Sequence, residues 1–144
     1  MPRLMSVAMT TDAVIARRKT VTRRKGWWVD RNGRRIIHPG DRLTLCRKVQ
    51  GRKPGEPLER LAEVEVLHVT RETLCSIQAN EERALRELRA EGFPTLRGEG
   101  WEAASSIFLR RFFFEAQGMG PMDDVTRIEW RYLDGPRNEG TDRP

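Results

Sequence analysis

The stretch ARRKTVTRRKGWW, residues 16–28, concentrates the side chains of this chain that are equipped for chemistry. Six cations, Arg17, Arg18, Lys19, Arg23, Arg24 and Lys25, fall within nine residues with no acid among them. Thr20 and Thr22 interrupt them, and Trp27 and Trp28 follow. Three readings are open: a solvated charge run, an adhesive for phosphates, or the floor of a reactive site. The β-branched residues of KTVTRR favour an extended backbone, and along a strand side chains alternate. Lys19, Val21 and Arg23 then face one way, and Thr20, Thr22 and Arg24 the other. Some of these charges must point toward a groove or a sheet end, where a purely solubilising charge is costly. The two tryptophans offer either core rings or a stacking platform beside phosphate-binding cations.

The wider charge pattern points the same way. The 144 residues hold 27 Lys+Arg against 21 Asp+Glu, a net of +6. Residues 1–60 carry 16 basic and 5 acidic side chains, whereas residues 61–144 carry 11 and 16. A field concentrated in one half attracts a polyanion such as RNA, and an evenly mixed surface does not. Arg34 and Arg35 extend the basic tract. Cys46 and Cys75 have no CxxC spacing and no histidine close in sequence, so neither a zinc site nor a disulfide framework is expected. No cofactor is implied. No apolar run approaches the roughly 20 residues of a membrane span, and no signal-peptide core opens the chain. A cytoplasmic protein with no membrane partner is the expectation.

These side chains need a frame. LMSVAM (residues 4–9) reads as a strand, and Thr10-Thr11-Asp12 can cap a short helix ending near Arg18. Asn32-Gly33 and Pro39-Gly40-Asp41 are turn signals around a short strand from Arg34 to His38. RLTLCRKV is a strand; GRKPGEP is a loop. RLAEVEVLHVTRETL is the clearest strand, with Ala62, Val64 and Val66 on one face, and its parity turns His68 inward. Asn80 caps a helix through RALRELRAEG with Ala84, Leu85 and Leu88 on one stripe, stopped by Gly92 and Pro94. WEAASSIFLRRFFFEAQG is a second such helix, ended by Gly118, on which one ring of Phe112–Phe114 is expected to be exposed. VTRIEWRYL closes the set. The order predicts an α+β fold: a small, mostly antiparallel β-barrel with helices covering one end, spanning residues 1–133. Residues 134–144 lack a hydrophobic anchor and read as a disordered tail.

Taken together, ARRKTVTRR, HPGDRLTL, AEVEVLHV, the helix-ending AEGF and the terminal VTRIEWRYL resemble the ASCH domain, a relative of the PUA fold. The likeness is greatest to short ASCH proteins of bacteriophages, which would place the protein in a host cytoplasm. More distantly, it extends to the bacterial N4-acetylcytidine amidohydrolases. It implies a cleft between barrel and helices lined by the K-T-x-T segment. The amidohydrolase set, carried over, becomes Lys19, Thr22 and Glu91. Like charges at Arg18, Arg23 and Arg24, together with desolvation, would lower the Lys19 pKa. The amine could then take a proton from Thr22 or from water, with Arg24 stabilising an oxyanion or holding a phosphate. Two departures stand out: the family's glycine two positions before the lysine is Arg17, placing a cation at the cleft mouth, and the insert GWWVDRNGRRIIH is long. His38 stands where the family often has lysine, and Asp41 is read as a turn residue.

Three functions follow, in this order. The first is binding of RNA or another nucleic acid or nucleotide through Arg17, Arg18, Arg23, Arg24, Lys25, Trp27, Trp28, Arg34 and Arg35. The second is an amidohydrolase or nuclease acting on a modified nucleoside or nucleotide through Lys19, Thr22 and Glu91. The third is a phage protein that binds a host protein.

Overall fold

In a computed structural model, residues 2–93 and 100–135 are described. Strand β1 (Arg3–Ser6) leads through a 3₁₀ turn (Ala8–Thr10) into helix α1 (Thr11–Ile15). Then come β2 (Val21–Lys25), β3 (Arg42–Cys46) and the 14-residue β4 (Arg60–Thr73). A second 3₁₀ turn (Leu74–Gln78), α2 (Glu81–Glu91), α3 (Trp101–Leu109) and β5 (Asp124–Tyr132) complete the set. The strands form one sheet in the order β1-β3-β4-β5-β2, antiparallel except for the β1–β3 pair. This is an α+β fold on a curled half-barrel. The expected β-barrel is found as a half-barrel: β1 and β2 are its two edges, and among the described residues no backbone ladder joins them. The Arg24 Nη2 donates across that seam to the Ser6 carbonyl at 2.7 Å.

Two cores fill the molecule. Met5, Leu43, Leu45, Val64, Val66, Ile128 and Trp130 pack inside the curl, with Trp27 and Trp28 half-buried against them. A second cluster joins the helices to the end of the sheet: Leu74 and Val125 meet Leu88, Phe93, Ala104, Phe108 and Phe113. Burying each of the valine, leucine, isoleucine, methionine and phenylalanine side chains contributes about 1.5–3 kcal/mol. Helix α2 begins as its sequence suggests, with the Asn80 side chain accepting from the Arg83 amide, and it ends on left-handed Gly92.

Several expectations change. β1 is only four residues long, and residues 8–10 are helical. No strand forms at 34–38; a single bridge pairs Val29 with Arg35. His68 is exposed, because a β-bulge between Val66 and His68 inserts one residue and reverses the parity of the side chains beyond it. None of the three phenylalanines is exposed. Beyond Leu109 the α3 helix widens into a π-turn, Arg110–Glu115, which adds one residue to the turn. Phe113 is buried there, and Phe112 and Phe114 are half-buried against the second core. The tail expected from residue 134 lies outside the described residues except for Asp134 and Gly135, as does Pro94. Among the described residues no helix is long and apolar enough to cross a membrane.

Candidate active-site cleft

The basic run turns inward. After α1, Arg17 adopts a left-handed φ of 61°, and the amides of Arg18 and Lys19 both donate to the Ala13 carbonyl. The Lys19 carbonyl accepts from the Trp130 indole at 3.0 Å and from the Tyr132 hydroxyl, and the Thr20 amide donates to the Ala90 carbonyl. Both the closing strand and the end of α2 therefore grip the K-T-x-T segment. The grip drives the Lys19 side chain into the protein, where it is 3% exposed.

There Lys19 meets Glu91. The ammonium donates to Glu91 Oε1 at 3.0 Å and to the Glu91 carbonyl at 2.8 Å. Arg23, two residues along β2, donates from Nη1 to Glu91 Oε2 at 2.8 Å. It also donates from Nε to Glu72 at 2.8 Å and from Nη2 to Glu87. Glu72 is shared with Arg83, and Glu87 with Arg127, which also reaches Glu129. Lys19, Arg23, Arg83 and Arg127 thus face four carboxylates, and the exposed Arg86 adds a fifth cation 3.6 Å from Glu87. Burial lowers the Lys19 pKa, opposed by Glu91 and assisted by Arg24 and Arg23. For Arg23 the pull of its carboxylates outweighs burial and raises the pKa. Burial alone would raise Glu87, but Arg127 and Arg23 hold its carboxyl down at about 2.

A cleft of about 110 Å³ opens beside this cluster at the seam of the half-barrel. Lys19, Thr22, Arg23, Arg24 and Glu91 line it, facing Phe112 and Phe113 from the π-turn. Thr22 is buried in its wall. Arg24 Nε is buried with no hydrogen-bond partner, although Nη2 of the same group holds Ser6. Burial also lowers the Arg24 pKa. At roughly 30 Å³ per water in the liquid, the cleft has room for a few waters or for the reacting edge of a base.

The three residues carried over from the resemblance therefore line one cleft, and two of them are hydrogen-bonded. The nine assigned to phosphates are dispersed. Arg23 is 3% exposed and committed to three carboxylates. Arg17 lies away from the cleft mouth: it donates to the Val14 and Leu61 carbonyls, pairs with Asp134 at 3.0 Å and stacks 5.1 Å from the Tyr132 centroid. Arg18, Lys25, Arg34 and Arg35 are exposed. Trp27 and Trp28 lean on the core, and the Arg35 guanidinium lies 6.0 Å from the Trp27 centroid. Asp41 is a turn residue, accepting from the His38 amide at 2.9 Å.

Sequence reasoning missed Glu72, Glu87, Arg83 and Arg127. One signal was present. Glu87 and Glu91 are i,i+4 neighbours bracketing Leu88 on the buried stripe of α2, the spacing that puts two side chains on one helix face. Leu85, assigned to that stripe, is only half-buried.

No family model and no curated protein matches this chain. Its fold is matched by solved structures. Protein EF3133 from Enterococcus faecalis superposes with a TM-score of 0.62 at 14% identity, over 93% of this chain and 77% of its own. The hypothetical protein PH0355 gives 0.53 at 16% identity, over 92% and 100%. An ASCH domain from Lactobacillus crispatus is also matched, at 0.47 and 16% identity over 86% and 70%. At identities of 14% and 16%, the first two likenesses show a shared fold and nothing more.

Proposed function

We propose that the cleft binds a modified base of a nucleoside or nucleotide and hydrolyses an amide on it. The observation that carries this reading is the Lys19–Glu91 pair, 3.0 Å apart and buried, in a cleft lined by Thr22 and by Arg24, whose Nε is buried without a partner. Lysine serves as a base only when it is unprotonated, and burial moves Lys19 in that direction. Arg23 occupies the second oxygen of Glu91, so the carboxylate is shared between two cations. The Lys19 amine takes the Thr22 proton as Thr22 Oγ adds to the amide carbonyl, while Arg24 Nε–H donates to the developing oxyanion. The proton passes from Lys19 to the departing amine as the C–N bond breaks. Water then cleaves the Thr22 ester and releases the carboxylic acid.

Arginine stays protonated at any working pH. Lys19→Arg should therefore reduce release of carboxylate from an N-acylated cytidine to background, and Thr22→Val, nearly equal in volume, should do the same. Wild-type turnover in either variant would overturn the assignment. So would a parent protein that releases no acid from acylated nucleosides or acylated RNA.

A second reading, nucleic-acid binding without chemistry, is favoured by the exposed cations Arg18, Lys25, Arg34 and Arg35. Affinity for single-stranded RNA would then fall steeply with salt. Replacing Arg34 and Arg35 with alanine would flatten that slope, whereas the buried Arg23 would not be the residue to test.

A further inference from the structure

A second chamber of about 390 Å³ adjoins the cleft. Met9, Thr10 and Phe112 belong to both walls, and Phe93, Ile107 and Arg111 line the chamber alone. The two spaces differ in chemistry. The cleft holds Lys19, Arg24 and Glu91, whereas the chamber is walled by the half-buried ring of Phe112, which the buried Phe93 backs edge to face at 5.5 Å and 88°. The partition between them is the 3₁₀ turn bearing Met9, which is 59% exposed although apolar. Two exposed arginines line the chamber and a depression next to it. Arg111 lines the chamber, and Arg18 lines a third depression that shares Met9, Thr10 and Gly92 with it. Neither arginine is ion-paired among the described residues.

We propose that this chamber seats the nucleobase next to the one in the cleft, so that the preferred substrate is a base carried in single-stranded nucleic acid rather than a free nucleoside. The inference rests on the reading of the cleft as a base-binding site. An aromatic wall beside cations that can meet a phosphate is what a stacked nucleotide requires. A plain alkyl chain would use the ring but leave the arginines without a role. One base in the cleft and its neighbour in the chamber would straddle Met9, with the linking phosphate at the partition.

Calorimetric titration of the full chain with cytidine 5′-monophosphate, with the dinucleotide CpC as RNA and as DNA, and with a dinucleotide abasic at the second position tests this. Stacking on aromatic side chains predicts that CpC binds about tenfold or more tightly than the mononucleotide. The abasic analogue should lose that gain, and the RNA and DNA arms show whether the 2′-hydroxyl contributes. Ile107→Trp fills the chamber without touching the cleft, so it should erase the gain and leave mononucleotide binding unchanged. Met9→Ala, at an exposed position that tolerates truncation, should reduce the gain even if the tryptophan variant does not fold. A full gain in the abasic analogue would mean that phosphates alone are recognised, and this would overturn the chamber. Equal binding of mono- and dinucleotide would overturn the chamber and leave the cleft reading intact. Failure of every nucleotide to bind would overturn the chamber, and release of acid from an acylated nucleoside would decide the cleft reading separately.

Discussion

Arg23 and Arg34 are the same residue in one basic tract, eleven positions apart, and the fold gives them opposite environments. Arg23 is sealed between β2, β4 and α2 with a carboxylate on each of three nitrogens, whereas Arg34 stands exposed in the loop beyond β2. The difference originates in what packs opposite. α2 presents Glu87 and Glu91 from its buried face, and β4 adds Glu72. The loop faces solvent. A basic run is therefore not one feature: its inward half belongs to a buried ion network that holds Lys19, and its outer half is exposed to solvent.

The largest expected effect is the loss of Arg23. Removing one partner of a buried ion cluster leaves the others uncompensated, at a cost of about 3–5 kcal/mol. Arg23→Ala should lower the stability seen in urea denaturation by that amount. Arg34→Ala should stay within about 0.5 kcal/mol, as is usual for exposed sites. Similar losses in the two variants would break the distinction.

Two glycines sharpen the comparison. Gly92 and Gly33 both have left-handed φ, 84° and 78°. A Cβ on Gly33 would meet nothing within 4 Å, whereas one on Gly92 would lie 2.6 Å from Ala13 Cβ and 3.3 Å from Lys19 Cβ. Gly33→Ala should cost only the backbone term, about 1 kcal/mol. Gly92→Ala adds overpacking against two side chains for a total of about 3 kcal/mol. By pushing on Lys19, it should also reduce turnover if the cleft is catalytic. Equal melting shifts for the two variants would show that α2 does not press on the site.

Much of this was legible in the sequence, and the limits have physical causes. The long alternation of β4, the Asn80 cap and the Gly92 stop each depend on neighbours in the chain, and each is found. His68 was misplaced because a bulge is set by the register with β5, a nonlocal choice that no run of residues displays. The phosphate role given to Arg23 overlooked the opposing charges, because Glu72, Glu87 and Glu91 lie 49 to 68 residues away in sequence. The candidate set Lys19, Thr22 and Glu91 came from the resemblance; its burial and the sharing of Glu91 with Arg23 were not visible from spacing.

Acid should separate the two halves again, by a smaller amount. The Glu87 carboxyl, ordinarily near 4.5, is held at about 2 in the fold. A depressed pKa contributes stability that is fully present above about pH 4.5 and is lost as pH falls through about 2. Each unit is equivalent to 1.36 kcal/mol, and screening at the Arg127 side leaves about 2 kcal/mol. Denaturation midpoints measured between pH 6 and pH 2.5 should decline more steeply for the parent than for Glu87→Gln, which has no carboxyl to protonate. Arg34→Ala should follow the parent curve throughout. Parallel curves for the parent and Glu87→Gln would show that this carboxylate is not electrostatically held.

The smallest effect concerns Arg17, where the run turns inward. Its left-handed φ of 61° is unfavourable for a residue with a Cβ by about 1–2 kcal/mol. Its guanidinium offsets this by holding the Val14 and Leu61 carbonyls, Asp134 and the Tyr132 ring. Glycine, the residue expected here from the resemblance, would remove both the strain and the contacts. Alanine would remove the contacts alone. Arg17→Gly should therefore be more stable than Arg17→Ala by about 0.5–1 kcal/mol, since the greater freedom of unfolded glycine cancels part of the relief. The parent should exceed both if the guanidinium contacts outweigh the strain. Equal stability of the alanine and glycine variants would show that the turn carries no strain. The inward path of Lys19 would then be set by the grip of Trp130, Tyr132 and Ala90 alone.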